Sequence, residues 1–188
     1  MNLTMKYAAA ALVASAQSGV LGYMVESRAQ VLRNGQEIVL RTQPVDPNDI
    51  MRGDYVTLGY VISSIDPKQI SGNESVTAGN AKVYVALKKT GEGWVFSRAS
   101  WQQITDKTTD EVVITGKTGG NYYAGGTGPV PVQYGFESFY VPQGEGKVIE
   151  DGQRAQAVDA VIAVDSSGTS QMKSLRLNGK TLYDVPLY

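Results

Sequence analysis

The sequence predicts a mainly β fold, an antiparallel sandwich or open barrel with short helical turns, preceded by one N-terminal transmembrane helix. Three features carry this expectation: a charge-free stretch from Tyr7 to Val25, repeated alternation of apolar and polar residues after it, and short turn-forming sequences between the alternating runs. A chain of 188 residues fits one domain and is long enough to bury a continuous core. Lys and Arg total 17 against 18 Asp and Glu, so no net basic field exists to attract a phosphate backbone, and nucleic acid is not an expected partner. The absence of Cys and His removes thiolate nucleophiles, disulfides, soft-metal sites and imidazole relays. No cofactor is expected.

Residues 1–6 are expected to form a cytoplasmic tail and residues 7–25 the membrane anchor. As a helix, Tyr7 to Val25 would rise about 1.5 Å per residue, enough for a hydrocarbon core of roughly 30 Å. Lys6 precedes it and Glu26 and Arg28 follow, a weak charge asymmetry that keeps the short tail inside. Ala10, Ala14, Ser18 and Gly22 recur every four residues, with Ala11, Ser15 and Gly19 beside them. Such a ridge lets another helix approach closely in lipid, and Gln17 adds a side chain able to hydrogen-bond across the contact. The bland alternative is an anchor that is merely Ala-rich. A further alternative is a signal peptide cleaved after Ala16, since Ala14-Ser15-Ala16 has the small-x-small pattern; against it, Val20, Leu21, Tyr23, Met24 and Val25 extend the apolar run beyond that point. In either case the body would lie outside the cytoplasm.

Residues 26–35 read as a linker, helical in part, before an extracytoplasmic domain over 36–188. Asn34-Gly35 turns into a strand over Gln36 to Thr42, where Ile38 and Leu40 alternate with polar neighbours. Pro44 to Arg52 suits one short helical turn, with Asp46 as cap, Pro47 at the first helical position and Asp49 in the first turn. Asp54 to Ser63 alternates as a single strand, with Val56, Leu58, Tyr60 and Ile62 on the core face. Asp66-Pro67 and Ser71 to Asn80 have loop chemistry, and Ala81 to Lys88 and Gly93 to Ile104 flank a hairpin turn at Thr90 to Gly93. Asp110 to Gly116 adds a strand, and Gly116 to Pro131, with Tyr122 and Tyr123, reads as a long exposed loop. Val132 to Val141 is a further strand, Gly144 to Gln156 a short helix or irregular connection, and Val158 to Asp165 with Thr169 to Leu177 a closing hairpin. Thr181 to Tyr183 is a short final strand.

The run Gly53-Asp54-Tyr55-Val56-Thr57-Leu58-Gly59-Tyr60 is the most specific motif in the chain. With its approach from Pro44 to Arg52 and the later run Tyr134-Gly135-Phe136-Glu137-Ser138-Phe139-Tyr140-Val141-Pro142, it resembles the GDYXXLXY family over most of the chain; Gln143 departs from it where an acidic residue is expected. Members of that family are membrane-anchored proteins often encoded beside or fused to multi-span membrane proteins. The resemblance therefore implies a place in a membrane complex and no reaction. The motif residues Gly53, Asp54, Tyr55, Leu58 and Tyr60 have an architectural explanation through a turn, an amide-binding carboxylate and core packing. A functional reading makes Arg52, Asp54, Tyr55 and Glu137 a polar binding surface near the membrane.

Other motifs are weak. Arg52-Gly53-Asp54 is an adhesion tripeptide placed at a strand entrance. Gly116-Lys117-Thr118 mimics the end of a phosphate loop, but Glu111 stands at the earlier Gly position. Asp54 and Glu137 would make a glycosidase-like carboxylate pair only if the fold brought them together, and Ser27 lacks the surroundings of an anchored serine peptidase. The expected role is a non-enzymatic accessory subunit in the cell envelope, partnered with a multi-span membrane protein and the lipid bilayer. The alternatives are an extracytoplasmic hydrolase or a small-ligand module around Tyr122 and Tyr123.

Overall fold

The computed structural model describes residues 3–45, 55–72, 80–91, 93–119, 126 and 128–187. Among the described residues a long helix, α1 (Leu3–Asn34), leads into twelve strands and one further α-helix. The chain is mainly β, and its sheets do not close into a barrel among the described residues.

The first sheet joins β1 (Gln36–Arg41), β10 (Val158–Val164), β11 (Ser170–Leu177) and β12 (Lys180–Asp184) in that order, antiparallel throughout. The second contains β3 (Ser64–Ile65), β8 (Val130–Gln133), β7 (Glu111–Thr118), β5 (Lys82–Thr90), β6 (Gly93–Ser100) and β4 (Ile70–Ser71); only the β4–β6 pairing is parallel. A third, two-stranded sheet pairs β2 (Tyr55–Thr57) with β9 (Ser138–Tyr140). All three feed one core: Ile38 and Ile162 come from the first sheet, Val83, Val85, Leu87 and Ile114 from the second, and Val56 and Phe139 from the third. Helix α2 (Gly146–Arg154) contributes Ile149 to the same core. The β10–β11 turn closes onto the second sheet, where the Thr115 amide donates to the Gly168 carbonyl at 2.9 Å.

Helix α1 is continuous through 26–34, so the segment expected as a linker is its last two turns. Asn34-Gly35 makes the expected turn, and Gly35 is required there by space. A Cβ on it would lie 2.5 Å from the Val31 carbonyl oxygen and 2.9 Å from the Val164 amide nitrogen. Ala29, Val31 and Leu32 are buried, with Val31 and Leu32 packed against Ala163. Every described side chain from Lys6 to Val25 is instead exposed. At 32 residues α1 is about 48 Å long, yet among the described residues no helix is long and apolar enough to cross a membrane. The transmembrane anchor expected over residues 7–25 is therefore not supported by the apolarity of this helix. Length suffices, but Ala, Gly and Ser with Gln17 dilute the few large apolar side chains.

Other differences are local. The run 54–63 is not one strand: β2 ends at Thr57, Gly59 bridges Gln43, and a 3₁₀ turn follows at Val61–Ser63. The chain changes partners within a few residues, since the Leu58 amide donates to the Glu137 carbonyl and the Gly59 carbonyl accepts from the Gln43 amide. The expected strand over 132–141 is likewise broken into β8 and β9 at Gly135, whose φ of +92° no extended strand accommodates. β6 stops at Ser100, short of Ile104, and β3 and β4 add two-residue strands around a 3₁₀ turn that Asp66 caps through the Lys68 amide. Gly116, Lys117 and Thr118 lie within β7, so no helix follows them as a phosphate loop requires. The helical turn expected before Arg52 falls mostly outside the described residues, as do Tyr122 and Tyr123.

Candidate functional site

The extended backbone of β2 places alternate side chains on opposite faces. On the inner face Val56 is followed by Leu58, Tyr60 and Ile62, all at most 4% exposed. Tyr60 reaches across to Phe136: its hydroxyl donates to the Phe136 carbonyl at 3.1 Å, and the two rings meet edge to face with centroids 5.1 Å apart. Tyr134 makes the reciprocal link, donating its hydroxyl to the Ile62 carbonyl at 2.8 Å while its ring stacks on Phe136. Burial first, then the nearby Glu137 charge, raises both phenols well above their ordinary value, so they remain neutral donors. Each buried hydroxyl thus ties one of the segments 60–62 and 134–136 to the other's backbone.

Glu137 organises the turn between β8 and β9. One carboxylate oxygen accepts from the Tyr134 amide, and the other accepts from the Gly135 amide at 2.9 Å. Its carbonyl accepts from Leu58 at 2.7 Å. The carboxylate that the sequence offered as one of a catalytic pair with Asp54 is therefore engaged with its own turn. Antiparallel register sets Tyr55 opposite Tyr140, while Glu137 lies opposite Leu58, three positions or about 10 Å along the strand. Leu58, Tyr60 and Glu137 are brought together; Tyr55 is held apart from them. Arg52, Gly53 and Asp54 lie outside the described residues.

The family model described as GDYXXLXY protein matches residues 17–175, from within α1 to within β11. The chain belongs to the GDYXXLXY family. Neither curated proteins nor solved structures give a match. In this GDYXXLXY protein the described signature residues divide by face: Leu58 and Tyr60 serve the core, and half-buried Tyr55 sits outward beside Tyr140, with ring centroids 6.1 Å apart.

Sequence reasoning passed over the outer partners of Tyr55. Tyr140 is 82% exposed, and Phe139 beside it packs on Tyr183 of β12 with centroids 5.9 Å apart. These rings border a cleft of about 280 Å³ that also takes in Arg28 of α1, Met172, Asp184 and Pro186. The only cue in the sequence was the aromatic spacing of 134–140; the neighbours come from strands far along the chain. A second cleft of about 310 Å³ lies between β1 and β6, lined by Val39, Arg41, Val61, Trp94 and Phe96. The helix residues Ala10, Ala14, Ser18 and Gly22 stand clear of both clefts, on the exposed part of α1.

Proposed function

We propose that this GDYXXLXY protein is a non-enzymatic envelope subunit whose α1 packs among the membrane helices of a multi-span partner, with its β domain outside the cytoplasm. One observation carries the reading: α1 exposes Leu12, Val13, Val20, Leu21, Met24 and Val25, each about half or more exposed, while the domain clasps only the turns around Ala29 to Leu32. A helix with apolar residues all round and no charge from Tyr7 to Val25 gains by being covered on every side. Since its apolarity falls short of a lone span, neighbouring protein helices are a better cover than lipid alone. The ridge Ala10, Ala14, Ser18 and Gly22 then permits close approach, and Ser15 and Gln17 find hydrogen-bond partners. The engagement of Glu137 with its turn also favours a binding or bracing role over hydrolysis.

Photo-crosslinkers placed at Ala14 and Ser18 of the full chain in its native membrane test this. The expected product is a discrete adduct with an integral membrane protein. Recovery of the mature chain as a free monomer in the aqueous fraction, beginning at Gln17, overturns it.

A further inference from the structure

We infer that the outer face bearing Tyr55 and Tyr140 rests on the phospholipid headgroup layer around the partner, a step that depends on α1 being membrane-embedded as proposed above. The uncharged stretch of α1 ends at Val25, and at 1.5 Å per residue its 7–25 segment spans about 28 Å, close to the hydrocarbon thickness. Arg28, less than one turn further, then falls at headgroup depth. Because α1 is one unbroken helix into the domain, whatever borders Arg28 shares that depth. What borders it is the cleft between β9 and β12, rimmed by Tyr140, Tyr183 and Pro186.

The chemistry of that face suits the layer. Tyrosine has an apolar ring and a polar tip and is favoured at membrane–water boundaries. Tyr140 is 82% exposed although its ring is large, its neighbour Tyr55 extends the patch, and Tyr23 on α1 itself is 75% exposed. Arg28 and Asp184 line the cleft together without forming an ion pair within 4 Å, which leaves a cation for a lipid phosphate and an anion for a headgroup amine. The far end of the same sheet offers a contrast: Lys180 lies four residues back along β12 from Asp184, about 13 Å away.

The lack of cysteine makes the test clean. Full-length single-cysteine variants Ala14→Cys, Tyr140→Cys and Lys180→Cys carry a nitroxide and are reconstituted, in complex with the membrane partner that co-purifies with the full chain, in vesicles of phosphatidylethanolamine and phosphatidylglycerol. Collision with oxygen is then compared with collision with a water-soluble nickel chelate. The expected result is a several-fold higher oxygen-to-nickel ratio at 140 than at 180, with 14 higher still. A buried label at 14 with labels at 140 and 180 indistinguishable overturns the headgroup contact and leaves the embedded helix standing. A label at 14 as water-accessible as that at 180 overturns both.

Discussion

At Glu137 a single carboxylate closes a turn that the sequence alone makes look catalytic. Its oxygens accept from two backbone amides, Tyr134 and Gly135, at the residue whose positive φ breaks the strand. Glu137→Gln keeps the shape but puts an amide nitrogen where one oxygen accepted, so one N–H loses its acceptor and the remaining bond loses its charge. The expected cost is about 1–3 kcal/mol, read as a lower urea midpoint with unchanged slope. A midpoint equal to the parent's would remove the structural role assigned here. Core positions around this turn were legible in the sequence because burial alternates wherever the backbone is extended: Val56, Leu58 and Tyr60 are buried even though the ladder ends at Thr57, and Ile62 stays buried within the 3₁₀ turn that follows. The turn itself was not legible, since which amides a carboxylate finds depends on the path of the chain. Tyr140 was missed for the same reason, its partner Tyr55 being set by long-range register.

Among elements, β6 and β7 are joined by an electrostatic cluster as well as by their common neighbour β5. Arg98 on β6 donates to Asp106 at 3.1 Å and to Glu111 of β7 at 3.2 Å. Asp106 is held below the usual carboxylate range by its hydrogen bond from Arg98, and Asp110 by the Thr108 hydroxyl and then Lys88. Burial pushes Glu111 upward, but the Thr108 amide, the Ser97 hydroxyl and the Arg98 charge together outweigh it and leave it lowered. Depressed folded-state values mean that these carboxylates stabilise the fold above their unfolded range, about pH 4, and that the contribution disappears as pH falls through the lower folded values. Arg98→Met should therefore be less stable than the parent near neutrality, with the gap narrowing as urea midpoints are followed down to about pH 3. A gap that stays constant or widens on acidification would mean that Arg98 acts through packing alone. At this scale the long strands were readable from turn chemistry and alternation, whereas β3 and β4 were not: two-residue strands exist only because β8 and β6 lie alongside them.

For the whole molecule, the division that matters is along α1. From Ala29 onward the helix is part of the β domain, with Ala29 and Leu32 at most 2% exposed; the described side chains from Lys6 to Val25 are exposed. The sequence made the length and lack of charge plain, but whether such a helix stands alone depends on total apolarity, and there Ala, Gly and Ser count for little. An uncovered helix keeps its hydrogen bonds only by propensity, because nucleation is costly and packing supplies most helical stability in proteins. Amide exchange should therefore split the chain. For the full-length protein in its native membrane, peptides from 9–25 should be as protected as the β1 peptide over 36–41. After extraction into aqueous buffer with its partner removed, 9–25 should exchange much faster while 36–41 holds its protection, because β1 is anchored to β10 and the core rather than to the membrane. If 9–25 exchanges equally fast in both settings, nothing in the membrane covers α1 and the tethered-subunit reading fails. If 36–41 loses protection together with 9–25, the helix and the domain stabilise one another, and the boundary at Ala29 is in the wrong place.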